Sequence, residues 1–314
     1  MELSIVTTLY CSAPHLGEFY CRIRSEAERI TDDYEIVFVN DGSPDNSLDI
    51  AVSLHEQDQR VRVVDLSRNF GQHTAMMIGL AHARGRLVFL IDCDLEEEPE
   101  LLGRFYAEIE TSGADVVYGV RDMREGRLFD RVTGSLFYTL FNLFSSYPVP
   151  ANPLNARLMT RRYVAGLTEH GEREFFMAGL WAITGFSQVP MVVKKHSKGE
   201  SSYTLGRKLT ILINAITSFS DKPLVFIFYL GCVIVLVSGI AALYLVVRRV
   251  FFGVYLAGWP SLIVSTWLLG GLTIFCLGVI GIYLSKIFIE TKQRPYALIR
   301  RIYEKDISDK LGGA

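Results

Sequence analysis

LVFLIDCDLEEEPE, residues Leu87–Glu100, passes from five apolar residues straight into two aspartates, then into a cluster of acids before a proline. The apolar run is short and bounded by polar residues, as expected of a strand buried on both faces. Asp92 and Asp94 stand one residue apart at its carboxyl end, where open α/β sheets hold their ligands. Two carboxylates so spaced reach one divalent cation, and oxygen donors suit Mg2+ or Mn2+. Glu96 is a third candidate ligand, directly or through water. Glu97 and Glu98 read more simply as acids at a helix start, favourable against its dipole.

Outward from this segment the pattern repeats. Apolar, β-branched runs at Leu3–Thr8, Glu35–Val39, Val61–Leu66 and Asp115–Gly119 join Leu87–Ile91 as predicted strands. Helical patterns at Leu16–Ile30, Asn46–Asp58, His73–Arg84 and Pro99–Thr111 separate them. This alternation predicts an α/β domain with a mainly parallel sheet. Asn40-Asp41-Gly42-Ser43 closes the second strand with an acid and a glycine turn. Ser67-Arg68-Asn69-Phe70-Gly71 closes the third with a cation, an amide and a tight turn. Three strands thus deliver polar groups to one rim, which points to an active site there.

The chain has 314 residues, 50% of them hydrophobic and 21% charged, with net charge -2. Mean hydropathy is +0.25. That combination implies a polar part and a separate, very apolar part. The charge balance gives no sign of nucleic-acid binding. Cys11, Cys21, Cys93, Cys232 and Cys276 form no C-x-x-C pair and read as reduced thiols. Glycine patterns of dinucleotide and P-loop sites are absent, as is H-E-x-x-H.

Leu224–Val247 and Ser261–Leu284 are uncharged runs of 24 residues each. Either spans about 36 Å as a helix, enough for a hydrocarbon core of about 30 Å. Lys194, Lys195, Lys198, Arg207, Lys208 and Lys222 precede the first run. Lys286, Lys292, Arg294, Arg300, Arg301 and Lys305 follow the second, while the loop between holds only Arg248 and Arg249. This bias predicts both ends in the cytosol. MELSIVTTLY has no basic region followed by a long apolar core, so no signal peptide is expected. The expectation is a multi-pass protein of the cytoplasmic (inner) membrane with its catalytic domain on the cytosolic side.

Two more segments are amphipathic. Arg131–Ser146 gathers Leu136, Phe137, Leu140, Phe141, Leu143 and Phe144 largely on one face, and Arg207–Phe219 gathers Leu209, Leu212, Ile213, Ile216 and Phe219. Such helices lie in the headgroup layer or pack against the α/β domain. The expected organisation is a catalytic core at 1–130, an acceptor-side juxtamembrane region at 131–222, a two-helix hairpin at 223–285 and a basic tail at 286–314.

V-N-D-G-S-x-D-x-S at Val39–Ser47, L-S-R-N-F-G at Leu66–Gly71 and D-x-D-L-x-x-x-P-E at Asp92–Glu100 resemble the family 2 polyprenyl-phosphate glycosyltransferases. Ala156–Arg162, Ile216–Leu224 and Ile287–Pro295 extend the resemblance over nearly the whole chain. It implies a GT-A (nucleotide-diphospho-sugar transferase) fold and inverting transfer from a UDP- or GDP-sugar to a polyprenyl phosphate, undecaprenyl phosphate foremost. By the same resemblance Thr8, Tyr10, Asp41, Arg68, Asp92, Cys93 and Asp94 would bind the donor. Asp92, Asp94 and Glu96 would hold Mg2+ or Mn2+, and Arg121, Arg131, Ser135, Arg157 and Lys198 would meet the acceptor phosphate. The chain departs from the family at Thr7–Ser12, where V-P-x-Y/F-N-E is usual. It also has Asn155 where the bactoprenol branch has Asp, and His196–Ser202 where R-x-x-G-x-S-K is usual.

A phosphate monoester has a second pKa of about 6 and is mostly a dianion at neutral pH. It needs positioning and neighbouring cations more than a strong base, and arginine forks suit that task. Asn155 is therefore expected to position rather than to accept a proton. A processive polysaccharide synthase is a rival reading, but its Q-x-x-R-W motif is absent. A non-catalytic membrane scaffold is another, opposed by intact Asp92, Asp94 and Arg121. Membrane lipid is an expected partner, a homo-oligomer is allowed and nucleic acid is not expected.

Overall fold

Strands β1 (Leu3–Leu9), β2 (Tyr34–Asn40), β3 (Val61–Leu66) and β4 (Leu87–Leu90) are buried along their whole lengths. In the computed structural model, residues 1–121, 153–173, 177–193, 216–217, 220–252 and 258–305 are described. Arg131, Ser135, Lys194, Lys195 and Lys198 lie outside them, as do Arg131–Ser146 and nearly all of Arg207–Phe219. The described residues form two compact units, the sheet with its helices and a pair of long apolar helices.

The strands order as β7-β5-β6-β4-β1-β2-β3-β8. Here β5 is Val116–Arg121, β6 Pro153–Thr160, β7 Gln188–Val193 and β8 Ile299–Tyr303. β3, β2, β1 and β4 pair in parallel, as expected. The sheet as a whole is mixed, with β5 and β7 also paired in parallel. β6 inserts between β4 and β5 and runs antiparallel to both, and β8 pairs antiparallel with β3.

Helices α1 (Ala13–Glu28), α2 (Ser47–Gln57), α3 (Gln72–His82) and α4 (Leu101–Ser112) connect the early strands. Strand side chains alternate between faces. Ile5, Phe38 and Phe89 therefore point to the layer holding Phe19 of α1 and Phe105 of α4. Phe19 meets Phe38 and Phe89 meets Phe105 edge-on, with ring centroids 6.5 and 6.1 Å apart. Val6 and Val39 point the other way, against α3. That helix comes so close that a Cβ built on Gly79 would lie 2.4 Å from Val6 Cγ1 and 2.9 Å from Val39 Cγ2. Helices α5 (Arg161–Glu169) and α6 (Met177–Ile183) follow β6, and α5 packs beside α3.

β8 is pinned at its far end by Glu304, which accepts from Arg62 Nη2 at 3.0 Å and Arg84 Nη2 at 2.6 Å. Arg62 in turn donates to buried Glu35 at 2.8 Å. This network stands at the amino ends of the strands, opposite the rim that carries Asp92.

The second unit contains α7 (Lys222–Phe252) and α8 (Trp259–Thr291), which include both predicted apolar runs. Each is long and apolar enough to cross a membrane, and these stretches are not buried within the protein. Thr266, Thr273 and Thr291 donate their hydroxyls to the carbonyls four residues earlier at 2.7–2.8 Å. Their polar groups are thus satisfied inside the helix, as a hydrocarbon environment demands.

Candidate active site

Asp92 follows β4 at the carboxyl rim. The antiparallel register Leu87↔Thr160 to Leu90↔Arg157 carries forward to set residue 92 opposite 155. Asn155 Nδ2 accordingly donates to Asp92 Oδ2 at 2.8 Å. From the other side, Gln72 Nε2 at the start of α3 donates to Asp92 Oδ1 at 2.9 Å. Two amides thus fix the plane of this carboxylate.

Leu95 adopts a left-handed φ of 60°. Such a conformation is uncommon for a non-glycine residue. The turn brings the Glu96 N–H to Asp94 Oδ1 at 2.9 Å. Glu97 then drives inward. It is 1% exposed, and its carboxylate accepts the N–H groups of Asn155 at 3.3 Å and Ala156 at 2.9 Å. The reading of Glu97 as a simple helix-start acid is therefore corrected: it holds the strand that presents Asn155. Gln72 was also missed, and no motif or spacing in the sequence marks it.

Asp41 closes β2 and is 2% exposed. Its two oxygens accept the N–H groups of Phe70 at 2.7 Å and Gly71 at 2.9 Å, clasping the loop after β3. Burial pushes its pKa up, while these bonds pull against the rise. Gly42 beside it has φ 60°, and a Cβ there would lie 2.5 Å from the Arg68 backbone. The two loops meet only because that residue is glycine. Arg68 lies exposed on this loop, its guanidinium 4.1 Å from the Phe70 ring centroid.

Thr8 is nearly buried at the end of β1, and Tyr10 beyond it is 53% exposed. The Cys93 thiol turns inward to donate to the Thr8 carbonyl at 3.3 Å, and burial raises its pKa to about 11. Its side chain thus faces the interior, and its backbone borders the rim. Arg157 is likewise turned inward. It is 1% exposed, donates to the Leu154 and Asn155 carbonyls at 3.1 and 3.3 Å, and lies against the Trp181 ring. Burial lowers its pKa. Packed in this way, it supports β6 from within. Arg121 ends β5, and its Nη2 is buried with no acceptor among the described residues.

Among the described residues, no three His, Cys, Asp or Glu side chains converge to hold a metal. Glu96 is thus not gathered with Asp92 and Asp94 into a three-acid cage. The donor set still fits Mg2+ or Mn2+, since such ions use one or two carboxylates and take other oxygens from substrate phosphates.

Residues 4–167 match the family model described as Glycosyl transferase family 2. The chain belongs to glycosyl transferase family 2. Relatives of this family 2 transferase extend the match along its length. A Mycobacterium tuberculosis (strain CDC 1551 / Oshkosh) protein described among glycosyltransferases is 56% identical, covering 99% of this chain and 91% of the relative. A prophage bactoprenol glucosyl transferase homolog of Escherichia coli (strain K12) is 33% identical, covering 96% of this chain and 99% of the relative. Among solved structures, mannosyl-3-phosphoglycerate synthase from Rubrobacter xylanophilus is 21% identical with a TM-score of 0.49, covering 69% of this chain and 73% of that one.

Proposed function

We propose that this family 2 glycosyltransferase moves a sugar, with inversion, from a UDP- or GDP-sugar to a polyprenyl phosphate, undecaprenyl phosphate foremost. The product would feed the synthesis or modification of cell-surface glycans. The observation that carries the reading is the meeting of Asp92, Gln72 and Asn155 at the rim, one loop away from Asp41. The bactoprenol glucosyl transferase names of relatives 33% identical over 96% of the chain support the lipid acceptor.

Asp41 and the loop it clasps would receive the nucleoside, with Tyr10 and Arg68 exposed beside it. Asp92 and Asp94 would hold Mg2+ or Mn2+, which when bound neutralises charge on the departing nucleoside diphosphate. Gln72 and Asn155 keep Asp92 oriented. Arg121 has a buried N–H to offer the acceptor phosphate, which is already ionised and needs alignment with the anomeric carbon rather than deprotonation.

The lipid cannot leave a bilayer, so the reading sets the enzyme on a membrane through α7 and α8. β8 completes a sheet begun at β1. Chain before α7 and chain after α8 must then lie on one side of any bilayer that both helices cross. Basic residues on both flanks favour the cytosolic side.

The test is a donor screen. Membranes bearing the protein are incubated with labelled UDP- and GDP-sugars, undecaprenyl phosphate and Mg2+ or Mn2+, and labelled lipid is counted. One donor is expected to give product, and EDTA or Asp92→Ala is expected to lower it at least about a hundredfold. Full lipid labelling by Asp92→Ala would sink the proposal.

A further inference from the structure

A polar chain runs from the last strand to the donor rim. Arg300 on β8 donates through Nη2 to the Ser67 carbonyl at 2.6 Å and through Nη1 to Asp65 Oδ2 at 3.3 Å. The Asp65 side chain is 2% exposed, and its other oxygen accepts from Asn40 Nδ2 at 2.8 Å. Asn40 Oδ1 accepts the Ser43 N–H at 3.2 Å, and Ser43 Oγ accepts the Cys11 N–H at 2.8 Å. One guanidinium thus touches the loop that follows β3 and is linked, through Asp65, Asn40 and Ser43 in turn, to the loops that follow β2 and β1.

We infer that Arg300 is a positioning residue for the nucleotide of the donor. The inference rests on the reading of the Asp41 rim as the donor site. Arg300 does not fill a core, since its side chain is 57% exposed. Its contribution is charge and direction. It matches the buried Asp65 carboxylate with a cation, which keeps the Asn40 amide turned so that Ser43 is held. It also anchors Ser67, the first residue of the loop whose Phe70 and Gly71 N–H groups meet Asp41. The fork makes both contacts at once, which a lysine cannot do. The donor pocket is therefore completed by chain that follows the last apolar helix.

The experiment uses the full chain in detergent with Mg2+, and calorimetric binding of UDP-glucose and of GDP-mannose. Arg300→Ala is expected to weaken binding of the accepted donor about tenfold, with turnover at saturating donor within about twofold of wild type. Arg300→Lys should recover part of the loss. Glu304→Gln, at the opposite end of the same strand, should leave donor affinity unchanged even where it lowers the melting temperature. Hydrogen exchange should quicken at residues 40–43 and 67–71 in Arg300→Ala and not in Glu304→Gln. Wild-type affinity in Arg300→Ala, or an equal loss in Glu304→Gln, overturns the inference. Asp41→Asn separates the two readings. If it binds both nucleotide sugars as wild type does, the donor reading of the rim fails, while the exchange pattern still decides whether Arg300 organises the loops.

Discussion

Asp45 gathers four donors in the turn after β2. Its Oδ1 accepts the hydroxyls of Ser43 at 2.5 Å and Ser47 at 2.6 Å and the Ser47 N–H at 3.1 Å, and its Oδ2 accepts the Ala13 N–H at 3.1 Å. Burial works against its charge, but these bonds prevail and bring its pKa down to about 2. A carboxylate with a depressed folded-state pKa adds stability above its unfolded value, and that stability disappears as pH falls through the folded value. Unfolding followed by circular dichroism should therefore show a loss between about pH 4 and about pH 2 that Asp45→Asn flattens. Glu97 makes a different prediction. Glu97→Ala leaves the Asn155 and Ala156 N–H groups without their carboxylate, which should cost about 1–3 kcal/mol in denaturant unfolding. It should also lower lipid-sugar formation, because Asn155 loses its hold on Asp92. Asn155→Ala should lower activity by about tenfold without that stability loss. An Asn155→Ala enzyme of full activity would demote the Asn155–Asp92 contact to a structural one.

At the scale of elements, what was legible follows the physics of each segment. β1 to β4 announced themselves because strands covered on both faces must be apolar throughout. α1 to α4 were visible from their periodicity and lie within a few residues of expectation. β6 was not legible as a strand, since PLNARLMT mixes an amide and an arginine with its apolar residues. Arg157 disguised it most, because a buried guanidinium stacked on an indole leaves no mark in a sequence. β8 was hidden in the same way: IRRIY reads as part of a basic tail until its partner β3 is known. Of the rim, Asp92, Asp94 and Asp41 were foreseeable from their places at predicted strand ends, and Asn155 from the resemblance alone. Gln72 and Glu97 were not, for each takes its role from a partner distant in sequence. Tight contact between α3 and the sheet gives a sharper test. Gly79→Ala forces a methyl group into Val6 and Val39 and should cost about 1–3 kcal/mol by overpacking, measured as a shift in the urea midpoint.

Taken whole, the molecule divides its labour between a sheet that holds every rim residue discussed and a pair of helices whose surfaces suit hydrocarbon. The sheet is not assembled from one stretch of chain, because one of its two edge strands, β8, comes after both helices. During synthesis the free edge of β3 emerges from the ribosome more than 230 residues before its partner. An open strand edge is a template for wrong pairing. The nascent chain must therefore keep that edge protected, or shielded by other factors, until α7 and α8 have been made. The sheet is sealed in this way only after both long helices have been made, and a chain cut short near residue 293 would carry an unsealed edge prone to self-association.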